Sequence, residues 1–93
     1  MDVDDIKQKA KSVLQQAGVR RAAIFGSFAR GEEGADSDLD LLVEFQGEKT
    51  LFDFIALKRR LEQALGMSVD LLTYQSLSPL LRDSILREQI PVL

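Results

Sequence analysis

The sequence predicts a small α/β (α+β) protein built on one sheet. Helical and strand periodicities alternate along the chain in the order α-β-α-β-α-β-α. Gly18 and Gly66 stand where two predicted helices end, and Ser78-Pro79 has the cap and first-position proline of a helix start. Because 93 residues suffice for one core but not for two, we expect a single domain over residues 1–93.

Helices are predicted where apolar residues recur at helical spacing. The second long helix has the clearest start, with Thr50 as N-cap and Asp53 in the capping-box position. Its buried face is expected to include Leu51 and Ile55. The four helical segments are expected at residues 2–17, at residues 27–30 with Ser27 as N-cap, at residues 50–65 and at residues 78–89.

The clearest strand is residues 38–45, where apolar and mostly polar side chains alternate. Two further strands are expected at residues 19–25 and 67–73, and residues 90–93 are compatible with a short edge strand. The segment 31–37, with two glycines and three acids, is predicted to be a loop.

The composition narrows the possible chemistry. The chain has no Cys, which excludes disulfides, thiolate zinc sites and cysteine nucleophiles, and no His, the commonest general base. Catalysis would therefore have to use carboxylates, hydroxyls, Lys or Arg and backbone amides, which is the profile of a magnesium enzyme.

The charge balance bears on partners and location. A net charge of −3 argues against direct binding to long nucleic acids, which requires a basic face. No apolar run approaches the length of a membrane span, and the first residues are acidic where a signal peptide is basic. We therefore expect a cytoplasmic protein.

Three aspartates lie in or beside predicted strands, although Asp is disfavoured there. Asp38 and Asp40 are two residues apart, so their side chains share one face with Cα atoms roughly 6.5 Å apart. Asp70 joins them if its strand is a neighbour. Two such charges about 5 Å apart cost on the order of 3 kcal/mol at an effective dielectric of about 20. Protonation, an arginine or divalent cations could offset this, and two Mg²⁺ ions are a common solution in nucleotidyl transfer. Exposed acids on a one-sided sheet would give the same pattern.

Gly26 and Ser27 follow directly on a predicted strand. Glycine lets a phosphate approach the backbone, and the amides that open a short helix are donors for anions. Ser27 adds a hydroxyl, although it could serve only as a helix cap. Arg30 is one helical turn further on and could contact a phosphate. Alternatively, it could form a salt bridge to Glu32, Glu33 or Asp36.

Residues 26–31 (GSFARG), followed by residues 37–43 (SDLDLLV), resemble the DNA polymerase β-like nucleotidyltransferase superfamily. The spacing of Gly-Ser, ten residues and Asp-x-Asp is similar to that of its minimal nucleotidyltransferase (MNT) group, and Val69-Asp70-Leu71-Leu72 matches the group's third-carboxylate strand. The resemblance implies a mixed sheet with helices packed on one side. It also implies two metal ions held by Asp38 and Asp40, with Asp70 completing the site. Gly26 and Ser27 would hold the donor's β- and γ-phosphates.

By the same resemblance, the chain is expected to transfer AMP from ATP to a hydroxyl of a partner protein. Small MNT proteins resemble antitoxins that modify a HEPN-domain toxin, commonly on a tyrosine. Two alternatives are a non-catalytic module that sequesters its partner and an aminoglycoside-type nucleotidyltransferase. The latter would need a pocket built across a homodimer, and a hetero-oligomer is equally compatible with the sequence.

Two apolar features are expected to serve in packing. Tyr74 could stack on a base or lie near the acceptor, but core or edge packing is favoured. A leucine-rich segment near the C-terminus is expected to be core, although part of it could meet a partner. This segment comprises Leu77, Leu80, Leu81, Ile85 and Leu86.

Overall fold

The computed structural model describes residues 2–34 and 37–93. It confirms the predicted order of elements and shows the short edge strand at the end of the chain. A short 3-10 turn, Tyr74–Ser76, follows the third strand. The elements are α1 (Val3–Gln16), β1 (Val19–Phe25), α2 (Gly26–Arg30), β2 (Leu39–Phe45), α3 (Leu51–Leu65), β3 (Val69–Thr73), α4 (Pro79–Glu88) and β4 (Ile90–Pro91).

The four strands form one mixed sheet in the order β3-β2-β1-β4. β1 is antiparallel to both β2 and β4, whereas β2 and β3 are parallel. A parallel pair needs a long crossover connection, and α3 provides it between β2 and β3. The mixed sheet expected from the family resemblance is therefore confirmed.

The main core lies between one face of the sheet and the helices α1 and α3. Alternation along β2 points three fully buried side chains to this face, and α1 and α3 contribute residues at helical spacing. These core residues include Leu39, Leu41 and Val43 of β2, Ile6, Ala10 and Leu14 of α1, and Leu57, Leu61 and Leu65 of α3.

A second, smaller cluster covers part of the opposite face of the sheet. Phe25, Leu42, Tyr74 and Leu77 form it, and side chains of α4 pack against it. The expectation of helices on one side of the sheet therefore holds for α1 and α3, whereas α4 lies against the other face.

Several apolar side chains predicted to be buried are exposed instead. Leu51 and Ile55 are exposed because the core-facing side of α3 is set by Leu57. Ile55 is two residues from Leu57, about 200° around the helix. On α4, Leu80 is 93% and Leu81 58% exposed, since this helix meets the second cluster through its later residues Ile85 and Leu86.

Within the described part of the chain, no helix has both the length and the apolar character needed to cross a membrane.

Candidate active site

Asp40 and Asp70 lie side by side on the two parallel strands. Asp40 in β2 is in register with Asp70 in β3, and register neighbours in a sheet point to the same face. Leu42, two residues after Asp40, belongs to the second cluster, so the two carboxylates lie on the face that α4 partly covers. The sequence predicted that both aspartates would share a face if their strands were neighbours, and the pairing of β2 with β3 meets that condition.

Asp38 stands immediately before β2, and its side chain is exposed. Its charge nevertheless reaches Asp40, because it contributes to raising the pKa of that carboxyl. The strand itself begins at Leu39, whose amide donates to the carbonyl of Ser68 at 3.0 Å. This bond ties the start of β2 to the residue that precedes β3.

The environment of Asp40 disfavours its ionised form. Partial burial raises the pKa of Asp40 above its ordinary value, and the negative charges of Asp70 and Asp38 raise it further. Arg30 acts in the opposite direction and lowers the pKa of Asp40. A carboxyl in this position gains from any cation that approaches it.

Gly26 is required by two independent features of the site. Its φ of +70° lies in the left-handed region, which disfavours side chains. In addition, a Cβ on this residue would overlap Oδ2 of Asp40 and lie 2.9 Å from its Cγ. The backbone at the start of α2 therefore passes directly against the Asp40 carboxylate, and a Cβ at position 26 would force that carboxylate to move.

Ser27 is the second residue of α2, not its N-cap. The helix begins at Gly26 and the cap position is Phe25, which makes no side-chain cap bond. The prediction of Ser27 as N-cap is therefore wrong by two positions, because the left-handed Gly26 already allows the chain to turn from β1 into the helix. The position of Ser27 in the first turn of α2 leaves its hydroxyl beside Gly26 and the helix-opening amides.

Arg30 is held by two glutamates. Its Nε donates to Glu32 at 3.3 Å and its Nη1 to Glu88 at 3.4 Å. Of the three alternative salt-bridge partners, Glu32 is confirmed and Glu33 makes no bond to Arg30 in the described structure, while Asp36 lies outside the described residues. Glu88 was not predicted as a partner, since no local pattern connects α2 with the last residue of α4.

The donor atoms of the candidate site are carboxylate oxygens, the ligands that Mg²⁺ prefers. Among residues 2–34 and 37–93, no three acidic side chains lie close enough together to form a ready-made metal site. The chemistry of the site nevertheless fits a hard cation, because Asp40 and Asp70 are adjacent carboxylates. The pKa of Asp40 is raised first by its partial burial and then by the negative charges of Asp70 and Asp38.

Tyr74 is buried in the second cluster, which confirms the packing interpretation. Its hydroxyl donates to Oε1 of Gln89 at 3.0 Å. The guanidinium of Arg21 lies 3.8 Å from the centre of its ring, a cation–π contact.

A cavity of about 710 Å³ lies away from the carboxylates. It lies where β2 and β3 end and α3 begins, and is lined by residues such as Phe45, Thr50 and Thr73. The candidate active site is instead an open face of the sheet bordered by α2 and α4.

Comparison with known proteins identifies the family. Residues 8–93 match the model of the polymerase β nucleotidyltransferase family. A candidate protein adenylyltransferase of Methanocaldococcus jannaschii is 50% identical over the full length of both chains. The protein adenylyltransferase MntA of Thermococcus cleftensis is 42% identical over 88% of this chain and 83% of its own length.

Solved structures agree with this result. A structure described as a minimal nucleotidyltransferase superimposes with a TM-score of 0.84 at 44% identity, covering 98% of this chain and 96% of the other. A toxin–antitoxin complex crystallised with AMP-PNP has the same fold, with a TM-score of 0.81 at 22% identity over 94% of this chain and 72% of the other. The chain is therefore a member of the polymerase β nucleotidyltransferase family, and its close relatives are named as protein adenylyltransferases.

Proposed function

We propose that this protein is a Mg²⁺-dependent protein adenylyltransferase that moves AMP from ATP onto a hydroxyl of a partner protein. The observation that carries the proposal is the register pair of Asp40 and Asp70, of which the Asp40 carboxylate packs directly against Gly26 at the opening of α2. The names of relatives at 50% and 42% identity support the same activity.

Each site residue has a distinct role in this proposal. Gly26 and Ser27 place the backbone amides and the hydroxyl of the first turn of α2 beside the Asp40 carboxylate, where they would bind the β- and γ-phosphates of the donor. Arg30, on the same turn, would contact a phosphate oxygen with its guanidinium. Asp38 and Asp40 would hold the metal ions, and Asp70 would complete the site.

The metal requirement follows from the charge of the site. Asp38, Asp40 and Asp70 would be the ligands, since oxygen donors suit Mg²⁺ and the chain has neither His nor Cys. When bound, two such ions would neutralise the carboxylates and stabilise both the attacking and the leaving oxygen of the transfer.

The reaction can be written for the residues of the chain. The acceptor hydroxyl oxygen bonds to the α-phosphorus of ATP, the bond to the bridging oxygen breaks, and pyrophosphate leaves. Asp70 would accept the hydroxyl proton and so help to activate the acceptor; its position next to Asp40 and its exposure support this role.

For the partner, we propose a HEPN-domain toxin with this protein as its antitoxin. A structure with the same fold, at a TM-score of 0.72, 20% identity and 95% coverage of this chain (69% of the other), is described as a tri-AMPylated HEPN toxin of Shewanella oneidensis in complex with its MNT antitoxin. Two exposed side chains of α4, Leu80 and Leu81, lie on the helix that packs on the catalytic face and would form part of the contact. Because ATP is the donor, the proposal places the protein in the cytoplasm.

The test is transfer from labelled ATP to the product of an adjacent HEPN-type gene in the presence of Mg²⁺. Attachment of AMP to a partner hydroxyl, located by mass spectrometry and abolished by EDTA, is expected. A double variant, Asp38→Asn with Asp40→Asn, should fail to modify or neutralise the partner. If the double variant still neutralises the partner, sequestration is the function; if no AMP is transferred, the proposal is wrong.

A further inference from the structure

Arg30 connects two elements that are distant in the sequence. Its guanidinium is bound by Glu32, just beyond α2, and by Glu88, the last residue of α4. The first contact joins neighbours two residues apart, whereas the second joins α2 to α4. Of these two contacts, only the one with Glu88 links Arg30 to an element that is distant in the sequence.

The same side chain belongs to α2, whose first residue, Gly26, packs against the Asp40 carboxylate. Arg30 lowers the pKa of Asp40, and among the described residues it is the only basic side chain that does so. Arg30 is thus coupled electrostatically to Asp40 and is also paired with two glutamates. A nucleotide phosphate that reaches the site meets a cation that is already paired.

The existing contacts are of a kind that a phosphate would replace. They measure 3.3 and 3.4 Å, longer than the roughly 2.7–2.9 Å of a strong charge-assisted bond. The side chain of Arg30 is 43% exposed and that of Glu88 is 39% exposed, so solvent screens the pair. A phosphate carries more charge than a carboxylate and accepts two parallel bonds from one guanidinium.

We propose that Glu88 competes with the phosphates of the donor nucleotide for Arg30, and thereby sets the affinity for ATP. Nucleotide binding would release Glu88, and with it the contact between α2 and the end of α4. The inference rests on the proposed function, since it takes the nucleotide triphosphate as the ligand of this site. Glu88 itself is not a catalytic residue and acts through Arg30.

The test is equilibrium binding of ATP with Mg²⁺ to the full chain at about 0.15 M salt, where the Debye length is about 8 Å. The Glu88→Gln variant keeps the shape of the side chain and removes its charge, and we expect its Kd to be about two- to five-fold lower than that of the wild type. Asp83→Asn is the matched control, because it removes the same charge from an exposed position of α4 that makes no bond to Arg30 in the described structure. Its Kd should remain unchanged.

A second variant separates competition from other effects. In an Arg30→Gln background, the Glu88→Gln change should no longer alter the Kd, because the shared partner is gone. Thermal unfolding of each variant shows that it is folded. Weaker binding by Glu88→Gln would mean that Glu88 orients Arg30 instead of competing for it, and an equal gain in Asp83→Asn would mean a general charge effect; either result overturns the proposal.

The outcome is independent of adenylyl transfer, because binding is measured without a partner. ATP binding that responds to Glu88, without transfer to any protein, would contradict only the proposed function. If AMP is transferred but Glu88→Gln has the same Kd for ATP as the wild type, only this inference is contradicted. If the wild type does not bind ATP, both the inference and the proposed function are contradicted.

Discussion

Asp40 and Asp70 face each other across the only parallel strand pair in the described sheet. The two residues are separated in the sequence by the whole of α3, which returns the chain to the same edge of β2. Both side chains point away from the core that α1 and α3 cover, so the carboxylates are accessible to ligands while their backbones are held by the sheet.

Loss of a single carboxylate should strongly slow adenylyl transfer without unfolding the protein. For Asp40→Asn or Asp70→Asn, we expect the rate of transfer from ATP to fall by on the order of 100-fold or more, because the charge that holds the cations is reduced. Initial rates with labelled ATP would measure this. Asp83→Asn, an exposed acid on α4, serves as the control and should retain wild-type activity.

A metal-free Asp40→Asn variant should be more stable than the wild type at neutral pH. Burial and the charges of Asp70 and Asp38 raise the pKa of Asp40 above its ordinary value of 3.8. A carboxyl whose pKa is higher in the folded than in the unfolded state stabilises the fold while it is protonated. Its contribution to the free energy of unfolding is therefore present at low pH and is lost as the pH rises through the folded-state pKa. Removing the charge should therefore raise the Tm at pH 7 in EDTA.

The size and pH dependence of this shift provide the check. A gain of about 0.5 kcal/mol, typical of a partly exposed charge, would raise the Tm by about 2–4 °C for a domain of this size. The difference should shrink as the pH is lowered towards 3.8. Added Mg²⁺ should raise the Tm of the wild type more than that of the variant; equal responses would exclude Asp40 as a ligand.

Gly26→Ala and Gly31→Ala form a matched pair. Both glycines have a φ of +70°, so either substitution pays left-handed strain of about 1–2 kcal/mol. Only the Cβ at position 26 would also overlap Asp40, whereas the Cβ at position 31 meets nothing within 4 Å. Gly26→Ala should therefore lower the free energy of unfolding more than Gly31→Ala does and should also weaken ATP binding.

Urea unfolding and ATP titration of the two glycine variants would measure these effects. Similar losses of stability, with ATP binding intact in both variants, would show that the close approach of Gly26 to Asp40 is needed neither for stability nor for ATP binding.

Polar substitution of the exposed leucines of α4 should weaken recognition of the partner protein and leave nucleotide binding unchanged. For Leu80→Ser with Leu81→Ser, we expect KM for the partner protein to rise about 10-fold or more, as for central interface residues, with an unchanged Kd for ATP. Leu51→Ser is the control: it is also exposed, at 71%, but lies on α3, which covers the opposite face of the sheet. An equal rise in KM for Leu51→Ser would show that the partner does not bind specifically at α4.

Local patterns were sufficient for most of the elements. The alternation in β2 predicted the strand to within one residue, and Thr50 with Asp53 forms the expected capping box at the start of α3. These features depend on residues a few positions apart, so their periodicity and hydrogen bonding are visible in the sequence.

Predictions about particular side chains were less complete. Ser27 was assigned as a cap because serine commonly starts helices, but the glycine before it had already formed the turn. The exposure of Leu80 and Leu81 was missed because helical spacing describes which side chains share a face, not whether another element covers that face.

The sequence by itself determined the elements, the family motif and the presence of three aspartates in or beside strands, since these depend on composition and spacing along the chain. The tertiary structure decided which of these residues meet. The parallel pairing of β2 with β3 places Asp70 beside Asp40, and the packing of α4 on the same face brings Glu88 to Arg30. Such contacts arise from the way strands and helices share a core, so no local pattern records them.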